Sequence, residues 1–358
     1  MPNNRVRRLR ELLSSLGGEA ILITNAVNRR YLTGFTGSSG VVLVTESHAA
    51  LLTDFRYREQ APQQAVGFEI VEHAAGIYAT VAELLKKWGV AKLLFEDQHV
   101  TFAAYTSIRE QLQPVELIPA GMPVEQLRMV KDEGEIAVIQ DAADIADQAF
   151  AHILSHLKPG VTERQIALEL EFFMRSLGAS GTSFETIVAS GERSAMPHGV
   201  ASDRVIGSGE FVTLDYGASY QGYVSDLTRT VVVGPASDKH REIYGIVLES
   251  QLYALEHLKP GMTGREGDAL TRDIITRYGY GDHFGHGTGH GIGMEIHEAP
   301  RLSHLAADTI LSPGHVVTVE PGIYLPGFGG VRIEDDVVLT DTGVKILTHS
   351  PKELIVLE

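Results

Sequence analysis

Asp215, Asp226, His290, Glu320 and Glu334, four carboxylates and one imidazole in the C-terminal half of the chain, have the types and spacing of one metal site. Four carboxylates converging in a partly buried site repel one another and push their pKa values upward unless cations are present. Two divalent ions carry the positive charge that balances them, with His290 supplying a neutral nitrogen ligand to one ion and oxygen ligands alone serving the other. Oxygen-rich coordination without thiolate suits Mn²⁺ first, with Co²⁺, Zn²⁺ or Fe²⁺ as alternatives, since affinity alone does not choose among them. Two such ions about 3.5–4 Å apart hold a bridging water, lower its pKa and aim it at a carbonyl carbon, so hydrolysis of an amide or ester is the chemistry to expect.

The elements that must position these groups carry an internal repeat. Leu157-Lys158-Pro159-Gly160-Val161-Thr162 recurs as Leu258-Lys259-Pro260-Gly261-Met262-Thr263. Each copy lies between two amphipathic helices, Asp132 to Leu157 then Glu163 to Leu177, and Asp238 to Leu258 then Arg265 to Tyr278. Thr162 with Gln165 three residues on is a capping-box start. Each copy is followed by a β-rich pair that reads as an antiparallel hairpin: Glu210 to Tyr216 with Tyr223 to Val233, and His315 to Tyr324 with Val331 to Leu339. Asp215 and Asp226 are placed to face each other across the first hairpin, Glu320 and Glu334 across the second. A pseudo-twofold arrangement around a curved sheet would bring both pairs together.

The segment from His286 to Glu298 has glycine at nearly every second position at its start, which would let the backbone approach a metal and substrate closely, and its later alternation reads as a strand placing His290 near His297. A phosphate-loop reading fails for want of the Lys-Ser/Thr ending or a dinucleotide fingerprint.

Upstream, residues 1–122 alternate strands (Ile21 to Thr24, Val41 to Thr45, Ala49 to Thr53, Phe68 to Glu72, Lys92 to Glu96, Val115 to Pro119) with helices that include Tyr78 to Trp88 and Phe102 to Gln111. Arg5 to Leu16 reads as an N-terminal helix ended by Gly17 and Gly18. Pro119-Ala120-Gly121-Met122-Pro123 continues neither regular element and marks a boundary, giving an α/β domain over 1–122 and an α+β domain over 123–358. At 358 residues and 44% apolar composition, two domains with substantial cores are the natural division. A formal charge of −16 without a long basic stripe excludes nucleic acid as a partner. Zero cysteines exclude disulfides, thiolate catalysis and Cys-type zinc sites. No apolar run reaches membrane-spanning length, and the start Met1-Pro2-Asn3-Asn4 lacks the apolar core of a secretory signal, so a cytoplasmic protein without a membrane partner is expected.

Leu-Asp215-Tyr-Gly, Ser-Asp226-Leu-Thr-Arg-Thr, the His290 segment, Val-Glu320-Pro-Gly-Ile-Tyr and Arg-Ile-Glu334-Asp-Asp together resemble the pita-bread metallopeptidases, and within them the Xaa-Pro peptidases, prolidase and aminopeptidase P. Tyr31-Leu32-Thr33-Gly34-Phe35-Thr36-Gly37 resembles the creatinase-type N-terminal domain. The resemblance implies a pita-bread fold for 123–358 and a likeness to dinuclear peptidases that cleave the Xaa-Pro bond of short peptides through a metal-bridging hydroxide. Asp215 would bind one ion through both oxygens, Asp226 and Glu334 would bridge, and His290 and Glu320 would complete the other ion. Glu320 would also shuttle the proton to the leaving proline nitrogen. His198, in Met-Pro-His-Gly, and His297 match histidines that steady the substrate carbonyl and tetrahedral intermediate. Arg332 would pair with Asp215 and orient it. Arg301 is placed to bind a free C-terminal carboxylate, which favours dipeptides; removal of N-terminal residues from longer peptides is the neighbouring reading. A metal-free creatinase-like amidinohydrolase or binding module, and a methionine aminopeptidase, are the alternatives. A homodimer is implied by the resemblance, with the N-terminal domain covering the cleft.

Other residues have plainer readings. Trp88, Phe172 and Phe173 read as core on helical stripes, and His152, His156, His240, His257, His304 and His315 as surface. His283 and His286 are near enough to His290 to line a cleft, and Tyr31 and Phe35 serve either a local turn or a neighbouring active site.

Overall fold

The computed structural model describes residues 2–74 and 76–358, so Met1 of the polar N-terminal stretch lies outside the described residues. Contacts divide the chain into two compact units, Met1–Arg128 and Met129–Glu358. The sequence places this boundary at 122/123. The six-residue displacement has a cause in the helix Pro123–Met129, whose Glu125 accepts from Asn28 Nδ2 (2.6 Å) and whose buried Arg128 donates to Asn28 Oδ1 (2.8 Å). Those buried polar bonds hold the helix to the first unit, where breaking them would leave charged groups unpaired.

The first unit is built on a sheet that, among the described residues, has six strands in the order Glu69–Glu72, Ala49–Thr53, Val41–Thr45, Ala20–Ile23, Lys92–Phe95, Glu116–Pro119. Ile77–Trp88 and Phe102–Gln111 are helices, as their periodicity dictates. The N-terminal helix spans Pro2–Leu13, shorter at its end than the sequence suggests, and the chain turns through Gly17 at φ 77°. Tyr31 and Phe35 are each 1% exposed, so the Tyr31–Gly37 motif packs into its own unit and presents neither ring to solvent.

In the second unit the sequence repeat extends to the hydrogen bonds. Thr162 and Thr263 both cap helices, Glu163–Ser176 and Gly264–Arg277, with reciprocal capping boxes to Gln165 and Glu266. Gly160 N donates to Ile206 O as Gly261 N does to Leu311 O, and Thr162 bridges Val205 as Thr263 bridges Ile310. The first helix pair packs Phe150, Ile153, Leu170 and Met174 on Val212, Leu214 and Val231. The second packs Ala254 and Leu258 on Val317, Val319 and Val337. The exceptions are instructive: Phe172 is 65% exposed and so is no core residue, whereas His240 and His315 are buried because each ring accepts a backbone amide, from Ser237 and Ser312 respectively.

The two hairpins meet. Glu334 N donates to Thr228 O (3.1 Å), and Thr230 Oγ1 donates to Arg332 O (3.0 Å). Arg229, 1% exposed, ties the seam: its guanidinium donates to the carbonyls of Thr228, Glu334, Ser350 and Pro351 and to Asp335 Oδ1. Asp335 in turn accepts from Gln251 (2.7 Å) and Lys352 (2.5 Å). Truncating one partner of such a network leaves acceptors buried and bare, so Arg229→Ala is expected to cost roughly 3–5 kcal/mol. The measurement is the chemical-unfolding midpoint of the metal-free protein; a midpoint at the wild-type value would contradict the network's role.

Candidate metal centre

Three of the four acids sit where a strand stops pairing. Asp226 lies in the gap between the strands Tyr223–Val224 and Leu227–Val233, Glu320 between Val316–Val319 and Gly322–Leu325, and Glu334 between Gly329–Arg332 and Asp335–Leu339. A break in a ladder orphans backbone donors, which must find other partners. Here Asp226 N donates to Asp336 Oδ2 (2.8 Å), Glu320 N to Thr288 O (2.8 Å) and Glu334 N to Thr228 O (3.1 Å). Each acid is thus anchored to a segment other than its hairpin partner. The register across the second hairpin runs through the gap, Val319 opposite Asp335 and Gly322 opposite Arg332, so Glu320 and Glu334 stand opposite each other. In the first hairpin Asp215 instead opposes Thr228, with Asp226 beyond the last pair, Tyr216–Leu227; these two acids are diagonal neighbours and do not face each other.

His290 lies on the short strand Gly289–Gly291. Its flanking glycines serve strand packing: a Cβ at Gly289 would lie 2.0 Å from Thr318 O, and one at Gly291 2.3 Å from Ala299 O. The close approach at these two glycines is to neighbouring backbone, while Gly287 and Gly289 also line the cavity that holds the acids. Residues 292–297 are a bend and not a strand; the chain reverses there and returns as Glu298–Leu302, pairing His290 with Arg301. That reversal still brings the rings of His290 and His297 to 4.4 Å, edge to face.

His290 Nδ1 is 3.1 Å from Gly291 O, which fixes that nitrogen as the donor and leaves the Nε2 lone pair facing the acids. Nε2 is 3.6 Å from Asp226 Oδ2 and 3.4 Å from Glu320 Oε1. Burial holds the His290 pKa down at about 3, so these are not ion pairs but ligand atoms facing a common point. Asp226, His290 and Glu334 each offer an atom within 4.8 Å of the others. Burial, then repulsion from Glu334 and Asp215, raises the Asp226 pKa well above the carboxylate range; burial, then Glu320 and Asp215, does the same to Glu334. Glu320 is pushed up to about 8 by burial, with Arg332 opposing. Asp215 Oδ1 and Asp226 Oδ1 are buried without a hydrogen-bond partner among the described residues. Bare carboxylate oxygens, mutual repulsion and one oriented imidazole are a donor set that fits divalent cations.

Arg332 pairs with Asp215 Oδ2 in a short contact, bonds Thr228 Oγ1 (3.2 Å) and donates to Tyr324 Oη (2.8 Å). Tyr324 Oη also meets His286 Nε2 at 2.7 Å. All five candidate ligands line one cavity of about 500 Å³, together with His198, His297, Arg301, Arg332, Phe184, Glu185 and Val200. His198, His297 and Arg301 are exposed, and the side chain of Arg301, on the strand Glu298–Leu302, has no ion-pair or hydrogen-bond partner among the described residues. Burial, Arg301 and His198 lower the His297 pKa below the usual imidazole value. His286 lines the cavity as well. Tyr324 and Asp336 were missed from sequence, although both lie inside the Glu320 and Glu334 motifs, and the second acid after Glu334 is the one signal that could have found Asp336.

This carboxylate-walled cavity on a repeated helix-and-hairpin frame defines a metallopeptidase. Residues 137–341 match metallopeptidase family M24, and residues 5–130 match the Creatinase/Prolidase N-terminal domain; the chain belongs to that family. An uncharacterized peptidase of Bacillus subtilis is 54% identical over 353 residues, 99% of this chain and 100% of the relative. The solved structure of an Xaa-Pro dipeptidase from Bacillus anthracis superposes with a TM-score of 0.98 at 55% identity, covering 100% of both chains. That of an X-Pro aminopeptidase from Thermotoga maritima gives 0.92 at 41% identity, covering 98% of this chain and 100% of that one.

Ions that bind the native cavity and not the unfolded chain stabilise by mass action. Mn²⁺ is expected to raise the thermal-unfolding midpoint of the wild-type protein by several degrees and to leave an Asp226→Asn, Glu334→Gln double variant unmoved. Equal shifts in both would place the stabilising ion elsewhere.

Proposed function

We propose that the chain is a dinuclear, metal-dependent peptidase cleaving the Xaa-Pro bond of short peptides, with dipeptides preferred. The observation that carries this reading is the convergence of Asp215, Asp226, His290, Glu320 and Glu334 on one cavity that also holds two exposed imidazoles and an unpaired guanidinium. Asp215 would hold one ion, Asp226 and Glu334 both, and His290 and Glu320 the other, with Mn²⁺ the first choice and Co²⁺ or Zn²⁺ the alternatives. Such ions, when bound, supply Lewis-acid activation of water and of the scissile carbonyl.

The protein's own groups do the rest. Arg332, held by Tyr324 and Thr228, keeps Asp215 in position. Among the described residues Glu320 has a single side-chain hydrogen bond, a long one from Thr318 Oγ1 (3.3 Å), and so is free to take a proton from the attacking water and pass it to the proline nitrogen. His198 and His297, as ring N–H donors, meet the negative charge that develops on the carbonyl oxygen. Proline contributes no N–H after peptide formation, and this donor arrangement asks for none. Arg301 receives the free C-terminal carboxylate of a dipeptide through a bidentate contact.

The names of the similar solved structures, a dipeptidase and an aminopeptidase, support Xaa-Pro specificity and stand on both sides of the length question. The second reading is therefore an Xaa-Pro aminopeptidase acting on longer peptides; the unpaired Arg301 favours the first. The full ligand set disfavours a metal-free, creatinase-like amidinohydrolase. Homodimerisation and a cytoplasmic setting complete the proposal; among the described residues no helix is long and apolar enough to cross a membrane.

Release of proline from Xaa-Pro dipeptides is compared with release of the first residue from Xaa-Pro-Yaa tripeptides, with and without Mn²⁺. Metal-stimulated cleavage with dipeptides ahead is expected, and no stimulated cleavage of either set would overturn the proposal. Arg301→Ala should raise KM for dipeptides roughly tenfold to a hundredfold, the worth of a lost charged hydrogen bond. A neutral Arg301→Ala with faster tripeptide cleavage would replace the dipeptidase reading by the aminopeptidase one.

A further inference from the structure

Away from the cavity, His152, His156 and Glu169 gather at one end of the first helix pair, each offering a ligand atom within 4.8 Å of the others. His152 ends the helix Glu133–Ile153, His156 lies in the turn after it, and Glu169 faces them from Glu163–Ser176. We propose that these three side chains form a peripheral site for a Zn²⁺-class divalent ion that clips the helix pair together.

The internal repeat supplies a comparison. The second copy has Tyr253, His257 and Leu270 at the corresponding places. His156 Nδ1 lies 3.2 Å from His152 O, and His257 Nδ1 lies 2.9 Å from Tyr253 O, so closing the helix end with an imidazole is common to both copies. Nδ1 of His156, which also lies 3.2 Å from Ser155 Oγ, faces the helix end, and Nε2 lies on the other side of the ring, 3.8 Å from Glu169 Oε1. His152 and Glu169 have no counterpart in the second copy, so the fold does not require them. His152 is already oriented, stacked on Phe173 with centroids 3.9 Å apart and planes 7° from parallel. Its Nε2 is 2.7 Å from Glu169 Oε1, and Glu169 has no partner besides these two imidazoles among the described residues.

Zinc bonds near 2.0–2.1 Å in a tetrahedron set ligand atoms about 3.3 Å apart. The 2.7 and 3.8 Å separations reach that value by a small rotation of the half-exposed Glu169, leaving the fourth position to water. The helix C-terminus adds partial negative charge that favours a cation. Two imidazoles and one carboxylate suit Zn²⁺ better than Mn²⁺, whereas the four-carboxylate cavity suits Mn²⁺ first. The clipped helix also braces the strands of the catalytic unit, accepting from Tyr216 Oη at Ala146 O and from Ser225 Oγ at Ala142 O, both at 3.0 Å.

The test is equilibrium dialysis of the full chain against Zn²⁺, with bound metal counted by mass spectrometry. In an Asp226→Asn, Glu334→Gln background, which cripples the cavity, one Zn²⁺ per chain is expected. Adding Glu169→Gln or His152→Gln should weaken that binding about tenfold or more, and adding His257→Gln should leave it unchanged. In that background zinc should raise the unfolding midpoint only where the trio is intact, while Glu169→Gln alone in the wild-type chain keeps wild-type Mn²⁺-dependent peptidase activity. No zinc bound in the background chain, or equal binding after Glu169→Gln, overturns the proposal. Either failure leaves the peptidase reading, which is scored by proline release, where it stands.

Discussion

Carboxylates buried side by side without counterions are held at a cost, and this constraint organises the C-terminal unit. Asp215, Asp226 and Glu334 are each under 8% exposed and share one wall with Glu320, yet among the described residues the one guanidinium paired with any of these carboxylates is that of Arg332, on Asp215. Burial and mutual repulsion both act to neutralise the acids, which a folded chain tolerates only when something else compensates them. The architecture accepts this cost locally and offsets it with the densely bonded seam around Arg229 and Asp335.

The device that gathers the acids is interrupted β-pairing. At Asp226, Glu320 and Glu334 the strand leaves its hairpin partner, and the freed amide bonds across to Asp336, Thr288 or Thr228. The interruption directs the carboxylates to one place, and the borrowed amide bonds lock them there, so positioning the site and joining the two hairpins are one event. The helix pairs, with matching caps at Thr162 and Thr263, pack one on each repeated hairpin.

Much of this was legible in the sequence because it rests on local signals. The strands of the first unit, the repeated Leu-Lys-Pro-Gly turn and the capping at Thr162 are written in periodicity and turn chemistry. The five candidate ligands were recognisable because their motifs occur in order, and Arg332 because period-two spacing carries it to the Asp215 side. What escaped was non-local. Nothing in the glycine pattern around His290 shows that Gly289 and Gly291 pack against the backbone of Thr318 and Ala299. The diagonal placement of Asp215 and Asp226 follows from a register that hairpin length alone does not set. Burial of His240 and His315 depends on backbone amides at Ser237 and Ser312, and the helix Pro123–Met129 belongs to the first unit through Asn28, almost a hundred residues distant in sequence.

The central claim is that the acid cluster exists to hold two cations. The most direct measurement is anomalous X-ray scattering at the manganese edge from crystals grown with Mn²⁺. The account predicts two peaks per chain, about 3.5–4 Å apart, contacted by Asp215, Asp226, His290, Glu320 and Glu334. A cavity with no peak, or with a single ion touching fewer than three of these side chains, would contradict it.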